Sequence, residues 1–178
     1  MTTKKIVGTA VLSALTIVLT LISNYITVGG TISINLALLP IAIAAIMYGP
    51  WSAMLVGMIN GGFIILAPST QAIFMPISPV GTIVVCLLKT GLAGLAAGFI
   101  YKAFKKHETV GMIVSSLAIP VINTGLFLLG SYIFFKGGFG NFIDLFITVN
   151  FAIEFVVTAI LSPTTVRVVN LSRIRTSN

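Results

Sequence analysis

The sequence predicts an all-α integral membrane protein with six transmembrane helices and both termini in the cytoplasm. Its 178 residues are 57% hydrophobic and only 7% charged, whereas a soluble domain is about one quarter charged. Apolar runs recur at the length that crosses about 30 Å of hydrocarbon, and the basic residues stand at their ends. Because no linker, repeat or low-complexity tract divides the chain, residues 1–178 are predicted to form a single membrane domain.

Each apolar run is bounded by charged, proline or glycine residues. The second and third runs meet at the tight turn "YGPW", Tyr48 to Trp51. Lys4 and Lys5 precede the first run, as in a signal peptide, but the run is too long and lacks a clear small-residue cleavage site, so it counts as a span. The predicted spans are 6–26, 34–48, 52–66, 80–104, 110–135 and 142–169.

The basic residues predict the orientation. With six spans, both termini and the second and fourth connections share one side, which holds eight of the ten Lys and Arg residues. The opposite side holds only Lys136, and Lys89 lies inside a span. The positive-inside rule therefore places both termini in the cytoplasm, with residues 24–33, 67–79 and 136–141 outside. The net charge of +7 is accounted for by the membrane, without nucleic acid.

Several kinds of chemistry are excluded. Cys86 and His107 are the only residues of their types, so the sequence predicts no disulfide, no metal site and no nucleophilic triad. No phosphate-binding loop, HExxH or GxSxG motif occurs. We therefore expect no catalytic residues, no cofactor and no enzyme activity. Any uphill transport would draw on an ion gradient or on a partner that uses ATP.

Polar residues at membrane depth are the candidate binding residues, since such groups are costly in a bilayer and face the bundle interior or a cavity. They are Asn60, Lys89, Asn123 and Asn150, and Glu154 is a further polar residue at this depth. Lys89 and Glu154 lie at similar depths, so they either pair structurally, or Lys89 offers positive charge to a ligand in an outward pocket. The asparagines have a structural alternative as well, because amides also join packed helices.

The longest external connection, "LAPSTQAIFMPISP" (Leu66 to Pro79), contains three prolines and four small polar residues. A connection of this length without structure of its own is usually functional. We interpret this segment as the lid of a ligand pocket, in which Ser69, Thr70 and Gln71 bond to the ligand. The alternative is a simple cap on the bundle.

Two helices carry small residues four apart, a spacing that lets another helix approach closely. The first span contains Ala10-x-x-x-Ala14. The fourth contains Ala93-x-x-x-Ala97 and Gly94-x-x-x-Gly98.

Taken together, these features resemble the substrate-binding S components of energy-coupling factor (ECF) vitamin transporters. The most specific part is "ALLPIAIAAIMYGPWSAMLVGMINGG" (Ala37 to Gly62), which is similar to that family's second and third spans. The resemblance implies a subunit in the plasma membrane of a prokaryote that binds a vitamin from outside. It implies docking, through Ala10 and Ala14, on a transmembrane coupling subunit that carries two ATPases. The binding residues follow only by position.

Pantothenate is the substrate that the side chains favour. The predicted pocket offers amides, hydroxyls and one cation, which suit a small, branched, hydroxylated acid with an amide. A flat ring is normally gripped by stacked aromatics, and Tyr25, Phe74, Phe127 and Tyr132 show no evident cluster in the sequence. Overall similarity also leans toward the pantothenate-type S components. Another B vitamin or precursor, a stand-alone ion-coupled carrier and a purely structural membrane subunit stay open.

Overall fold

A computed structural model describes the backbone of residues 3–25, 27–28, 32–33, 35–104, 106–135 and 141–177, and the side chains of 3–24, 35–104, 106–135 and 151–171. Helices dominate it. The elements are α1 (Thr3–Tyr25), β1 (Thr27–Val28), β2 (Ile32–Ser33), α2 (Leu38–Met47), α3 (Pro50–Ile65), α4 (Pro68–Ile73), α5 (Pro79–Ala103), α6 (Glu108–Phe134) and α7 (Asn141–Ser177). The strands form a short antiparallel pair, with Thr27 opposite Ser33, which the sequence analysis did not predict.

Within the part of the chain that the structure describes, four helices are long and apolar enough to cross a membrane, namely Thr3–Asn24, Pro79–Ala103, Glu108–Phe134 and Phe151–Leu171. The segments predicted as spans two and three form shorter apolar helices of 10 and 16 residues. At 1.5 Å per residue they measure about 15 and 24 Å, less than the hydrocarbon thickness. Helix α2 begins at Leu38, so the start of the predicted second span lies before this helix, and the span bounds stay a prediction. The six-span topology stays a prediction.

Helix α2 is the centre of the bundle. It contacts α1, α3, α5, α6 and α7, and Leu38, Ile41 and Ala45 are almost fully buried. A helix that is apolar on every side is stable only where other helices surround it. Helix α2 is about half as long as its neighbours. Beyond its first residue, Leu38, the interior of the bundle is therefore lined by side chains of the longer helices.

Glycines join α3 to α5. A Cβ at Gly57 would collide with the backbone carbonyl of Thr90, and one at Gly61 with the carbonyl of Cys86. Farther along the same seam, Gly94 faces Ala53 and Gly98 faces Pro50. The two helices are therefore packed backbone against backbone, as small residues permit within a membrane.

Helix α1 has its polar face inside and its apolar face outside. Its hydroxyl residues recur every three or four positions and are buried, namely Thr9, Ser13, Thr16, Thr20 and Ser23. Three of them donate to carbonyls of the preceding turn, as in Thr16 Oγ1 to Leu12 O at 2.8 Å, which satisfies a hydroxyl without water. On the opposite face, Val7 and Val11 are 57% and 61% exposed. An outward apolar face of this kind is typical of contact with lipid.

One end of the bundle collects basic side chains. Lys5 and Lys102 line the same cleft at the start of α1 and the end of α5, and Lys106 follows α5 directly. Arg167 lies two residues before Val169, which packs with Ile46 and Met112 at this end. This clustering agrees with the predicted orientation, in which this end is cytoplasmic; the orientation itself stays a prediction.

Candidate functional site

Asn60 is the most deeply buried of the predicted binding residues, at 0% exposure. Its Oδ1 lies 2.8 Å from the hydroxyl of Thr20 on α1, and that hydroxyl also lies 2.7 Å from the carbonyl of Thr16. The Thr20 hydroxyl has one proton, so it can donate to only one of these two oxygens. The O and N atoms of an amide are nearly indistinguishable, so the Asn60 amide can be turned over. Asn60 then donates to Thr20, and Thr20 donates to the carbonyl of Thr16. Either way, one end of the amide is bonded to α1.

The other end of the Asn60 amide is buried and has no hydrogen-bond partner among the described residues. An unpaired buried polar group costs about 1–3 kcal/mol, and a ligand that bonds to it removes that cost. Asn60 thus combines the two roles that the sequence left as alternatives: it joins α3 to α1, and it keeps one polar atom for another partner.

Helix α6 adds two more polar groups of this kind. Asn123 is 4% exposed, Ser131 is 7% exposed, and the Oδ1 of Asn123 and the Oγ of Ser131 have no hydrogen-bond partner among the described residues. Both are one helical turn from Phe127, so all three residues share a face of α6. Pro120, inside the same helix, leaves the carbonyl of Ser116 without its helical donor.

Lys89 lies on α5 beside this face. Its Nζ lies 4.5 Å from the centre of the Phe127 ring, within the range of a cation–π interaction. The side chain is only partly buried, so the cation is held against an aromatic ring and is not enclosed. The alternative that pairs Lys89 with Glu154 stays a prediction.

The Phe127 ring beside this cation belongs to an aromatic cluster, and here the sequence analysis was wrong. The rings of Phe74 and Phe127 meet edge to face, with centres 5.4 Å apart and planes at 82°. Phe135 lies 5.6 Å from Phe74. Tyr132 is 74% exposed, and the side chain of Tyr25 lies outside the described residues. The site therefore does contain clustered aromatic rings, which weakens the argument against a substrate with a flat ring.

Helix α7 brings Glu154 to the same layer. Glu154 lies fifteen residues from Val169, and Phe127 lies fifteen residues from Met112, with Val169 and Met112 packed in one cluster. Because both helices rise 1.5 Å per residue, the carboxylate and the ring lie at about the same depth. Glu154 is 5% exposed. Asn150 is one turn farther out, and its side chain lies outside the described residues.

The predicted lid segment, Leu66 to Pro79, has structure of its own, contrary to the prediction of an unstructured connection. Residues Pro68–Ile73 form helix α4, and the Ser78 hydroxyl caps α5 by accepting from Gly81 N at 3.2 Å. Gln71 is exposed, and its Nε2 donates to the carbonyl of Ile65 at 2.7 Å. That bond fastens α4 to the end of α3. Thr70 is 6% exposed, and Ser69 is partly buried.

Phe74 is the residue through which this segment reaches the polar interior. It follows α4 directly and meets Phe127, the ring that Lys89 covers. The sequence analysis assigned contact with the ligand to Ser69, Thr70 and Gln71; it named Phe74 only as an aromatic residue outside any evident cluster, and it did not name Ser131. Phe74 and Phe127 are 53 positions apart, so no local spacing signals their contact. Asn60, Asn123 and Lys89 are buried or partly buried, while their contact with a substrate stays a prediction.

The two alanines of the predicted docking motif lie on the outer face of α1. Ala10 and Ala14 are both exposed, one helical turn apart, between bulkier side chains such as Val11. They leave a shallow notch in an otherwise apolar surface. The hydroxyl face of α1 is turned the opposite way, into the bundle.

Fold and site together define a polytopic membrane protein in which the described residues include Lys89, partly buried, and buried polar atoms without partners on Asn60, Asn123 and Ser131. Among the described residues, no group of three or more His, Cys, Asp or Glu side chains is placed to hold a metal. The chain matches the family described as "ECF transporter, substrate-specific component" over residues 4–166, which is most of its length. It therefore belongs to that family, whose members are substrate-binding subunits of ECF importers and not a class of enzymes. Comparison with curated proteins and with solved structures gives no match.

Proposed function

We propose that this chain binds pantothenate with high affinity from outside the cell. It then docks on a transmembrane coupling subunit that carries two ATPases. The observation that supports the substrate is the set of buried polar atoms without partners, on Asn60, Asn123 and Ser131, near one cation. Pantothenate has an amide, two hydroxyls and a carboxylate, so its groups correspond in kind to those that the site leaves unsatisfied.

Each residue has a proposed role. Lys89 holds the carboxylate, since the ammonium of lysine is a compact point cation. Asn60 and Asn123 bond to the amide and the hydroxyls, and Asn150 adds a further amide from α7. Ser69, Thr70 and Gln71 belong to the lid. Because the Nε2 of Gln71 is engaged with Ile65, Gln71 acts mainly by keeping the lid in place.

A second candidate substrate is supported by the aromatic cluster. Phe74 and Phe127 meet edge to face beneath Lys89, and such rings grip flat heterocycles. A B vitamin or precursor that joins an aromatic ring to a carboxylate would use Phe127 and Lys89 together. Pantothenate, which has no ring, would use the cluster only as an apolar wall.

The substrate proposal is tested by equilibrium binding of radiolabelled pantothenate to the purified chain. A charged hydrogen bond contributes about 1.5–3 kcal/mol, so we expect Lys89→Ala to weaken binding roughly 10- to 100-fold. Gln71→Ala is expected to weaken it less, by loosening the lid. Lys106→Ala, an exposed lysine at the opposite end of the bundle, is the matched control and leaves the affinity unchanged.

The outcomes separate the site from the substrate. Undiminished affinity in both Lys89→Ala and Gln71→Ala would show that the site is misassigned. If the wild-type chain binds no pantothenate but releases a ring-containing vitamin when denatured, the second candidate is correct.

Transport assays test the mode of action. In vesicles that contain only this chain, we expect binding without uphill uptake, and uptake only after the coupling subunit and the ATPases are added. Gradient-driven uptake by the chain alone would instead identify an ion-coupled carrier. The absence of any bound small molecule would favour a structural subunit.

A further inference from the structure

A cleft of about 320 Å³ opens at the basic end of the bundle, far along α5 from Lys89. Its walls come from the start of α1, the turn between α2 and α3, and the end of α5. We call it the basic cleft and define it by Lys5, Ile46, Tyr48, Trp51, Tyr101 and Lys102. None of these residues belongs to the proposed substrate site.

Glycine and proline fix the shape of the basic cleft. Gly49 has φ 96°, a left-handed conformation that favours glycine, and Pro50 then starts α3 with a φ suited to a first helical turn. Pro50 rests on Gly98 of α5, and the ring of Tyr48 fills the space that a side chain at Gly8 would occupy. The turn is thus packed against α1 and α5 at once.

The lining combines two cations, two phenols and an apolar floor. Lys5 and Lys102 approach from different helices, and Tyr48 and Tyr101 each supply a hydroxyl. Among the described residues that line the cleft, none is acidic. Ile46, at 5% exposure, gives the cleft an apolar inner wall. Such a lining suits a ligand that joins a negatively charged headgroup to an apolar tail.

Aromatic side chains place the cleft at the level of lipid headgroups. Trp51 is 63% exposed, and tryptophan and tyrosine concentrate where the bilayer meets water. The Nζ of Lys102 lies 5.7 Å from the ring of Phe99, which is 51% exposed on the lipid side of α5. The cation of Lys102 therefore stands at the edge of the apolar surface, where a phospholipid phosphate lies.

We propose that the basic cleft binds the phosphate headgroup of an anionic phospholipid. Lys5 and Lys102 bind the phosphate, and the Tyr48 hydroxyl donates to its oxygens, with Tyr101 beside it in the lining. The glycerol backbone lies against Ile46, and the acyl chains continue along the outside of α5. A lipid bound there would touch α1 and the α2–α3 turn together, and so would hold the basic end of the bundle at the membrane surface.

The test is native mass spectrometry of the full chain in detergent, with phosphatidylglycerol or phosphatidylcholine added at equal concentration. Each basic residue near an anionic headgroup contributes about 1 kcal/mol, so the variant Lys5→Gln/Lys102→Gln is expected to lose roughly tenfold or more of the preference for phosphatidylglycerol. The control, Lys4→Gln/Lys106→Gln, removes the same charge at exposed positions outside the cleft lining and keeps most of the preference. Tyr48→Phe/Tyr101→Phe gives a smaller loss, with charge unchanged.

Three outcomes would overturn the proposal. The first is an equal loss in the cleft pair and the control pair, which would mean that only overall charge attracts the lipid. The second is displacement of phosphatidylglycerol by inorganic phosphate, which would identify a site for a soluble anion. The third is an unchanged lipid preference in Lys5→Gln/Lys102→Gln together with loss of the coupling-subunit complex, which would identify a protein interface.

Discussion

Helices α1 and α5 carry the same small-residue pattern and use it in opposite ways. On α5, Ala93, Gly94, Ala97 and Gly98 are all buried. On α1, Ala10 and Ala14 are both exposed. The spacing indicates only that a helix can approach closely. It does not say which helix, or whether that helix belongs to the same chain.

What distinguishes the two faces is the rest of each helix. The small residues of α5 meet α3 at Ala53 and Pro50, and the hydroxyl of Ser115 on α6 donates to the carbonyl of Ala97 at 2.8 Å. On α1, the hydroxyl face takes the inward position, so the alanines are left on the outside. The face of α5 is thus completed within the chain, while the face of α1 is available to a partner.

The largest expected effect on the folded chain comes from the buried face. A Cβ at Gly94 would lie 2.5 Å from the carbonyl oxygen of Ala53, and a backbone atom does not move aside easily. We expect Gly94→Ala to lower the free energy of unfolding by about 1–3 kcal/mol, as overpacking does. Thermal unfolding of the purified chain in detergent measures it.

Gly62→Ala is the matched control. Gly62 is also inside a helix, but a Cβ there meets nothing within 4 Å. Replacing glycine by alanine in a helix then gains up to about 1 kcal/mol. Equal transition temperatures for the two variants would contradict the close packing of α3 on α5.

The two faces also show how far the sequence determines the structure. Apolar runs predicted where the helices lie, and the cost of placing a polar group in the bilayer correctly predicted that Asn60 and Asn123 face inward. Both predictions depend on residues that are near one another in the chain. Whether a small-residue face is internal depends on contacts between distant segments. The exposed side of α1 was predictable only from its hydroxyls, at positions 9, 13, 16, 20 and 23, a repeat that the sequence analysis did not use.

The site was less predictable than the fold for the same reason. The contact of Phe74 with Phe127 joins the lid to α6 across the bundle, and no motif marks either residue. The lid segment was predicted to be a connection without structure of its own, yet Pro68 is the first residue of α4, a position where proline favours a helix. Proline thus starts this helix, and Gln71 holds it on α3.

The second-largest expected effect comes from the exposed small-residue face of α1 and concerns binding to the coupling subunit. Ala10→Trp with Ala14→Trp fills the notch on α1, so we expect loss of the complex with the coupling subunit and loss of ATP-driven uptake. Substrate binding and thermal stability stay close to those of the wild type, because both positions are exposed. Co-purification after gentle detergent extraction measures the complex.

Leu15→Trp is the control for bulk on α1. Leu15 is 43% exposed, and at 100° per residue it lies well around the helix from the two alanines. We expect the complex to survive this change. A complex that also survives Ala10→Trp with Ala14→Trp would show that docking uses another surface.

The smallest expected effect concerns the contact that orients α1 so that Ala10 and Ala14 face outward. The hydroxyl of Thr20 reaches Asn60 on α3 at 2.8 Å, whereas the hydroxyl of Thr16 donates within its own helix, to Leu12 O at 2.8 Å. Thr20→Val removes the link between helices and leaves the amide with less support, so we expect a loss of about 1 kcal/mol. Thr16→Val, equally buried and identical in side-chain change, is expected to cost less. If the two variants unfold at the same temperature, the bond to Asn60 does not hold α1 in place, and the outward position of Ala10 and Ala14 must follow from other contacts of α1, such as the packing of Leu12 and the bond from Leu36 N to the Ser23 hydroxyl.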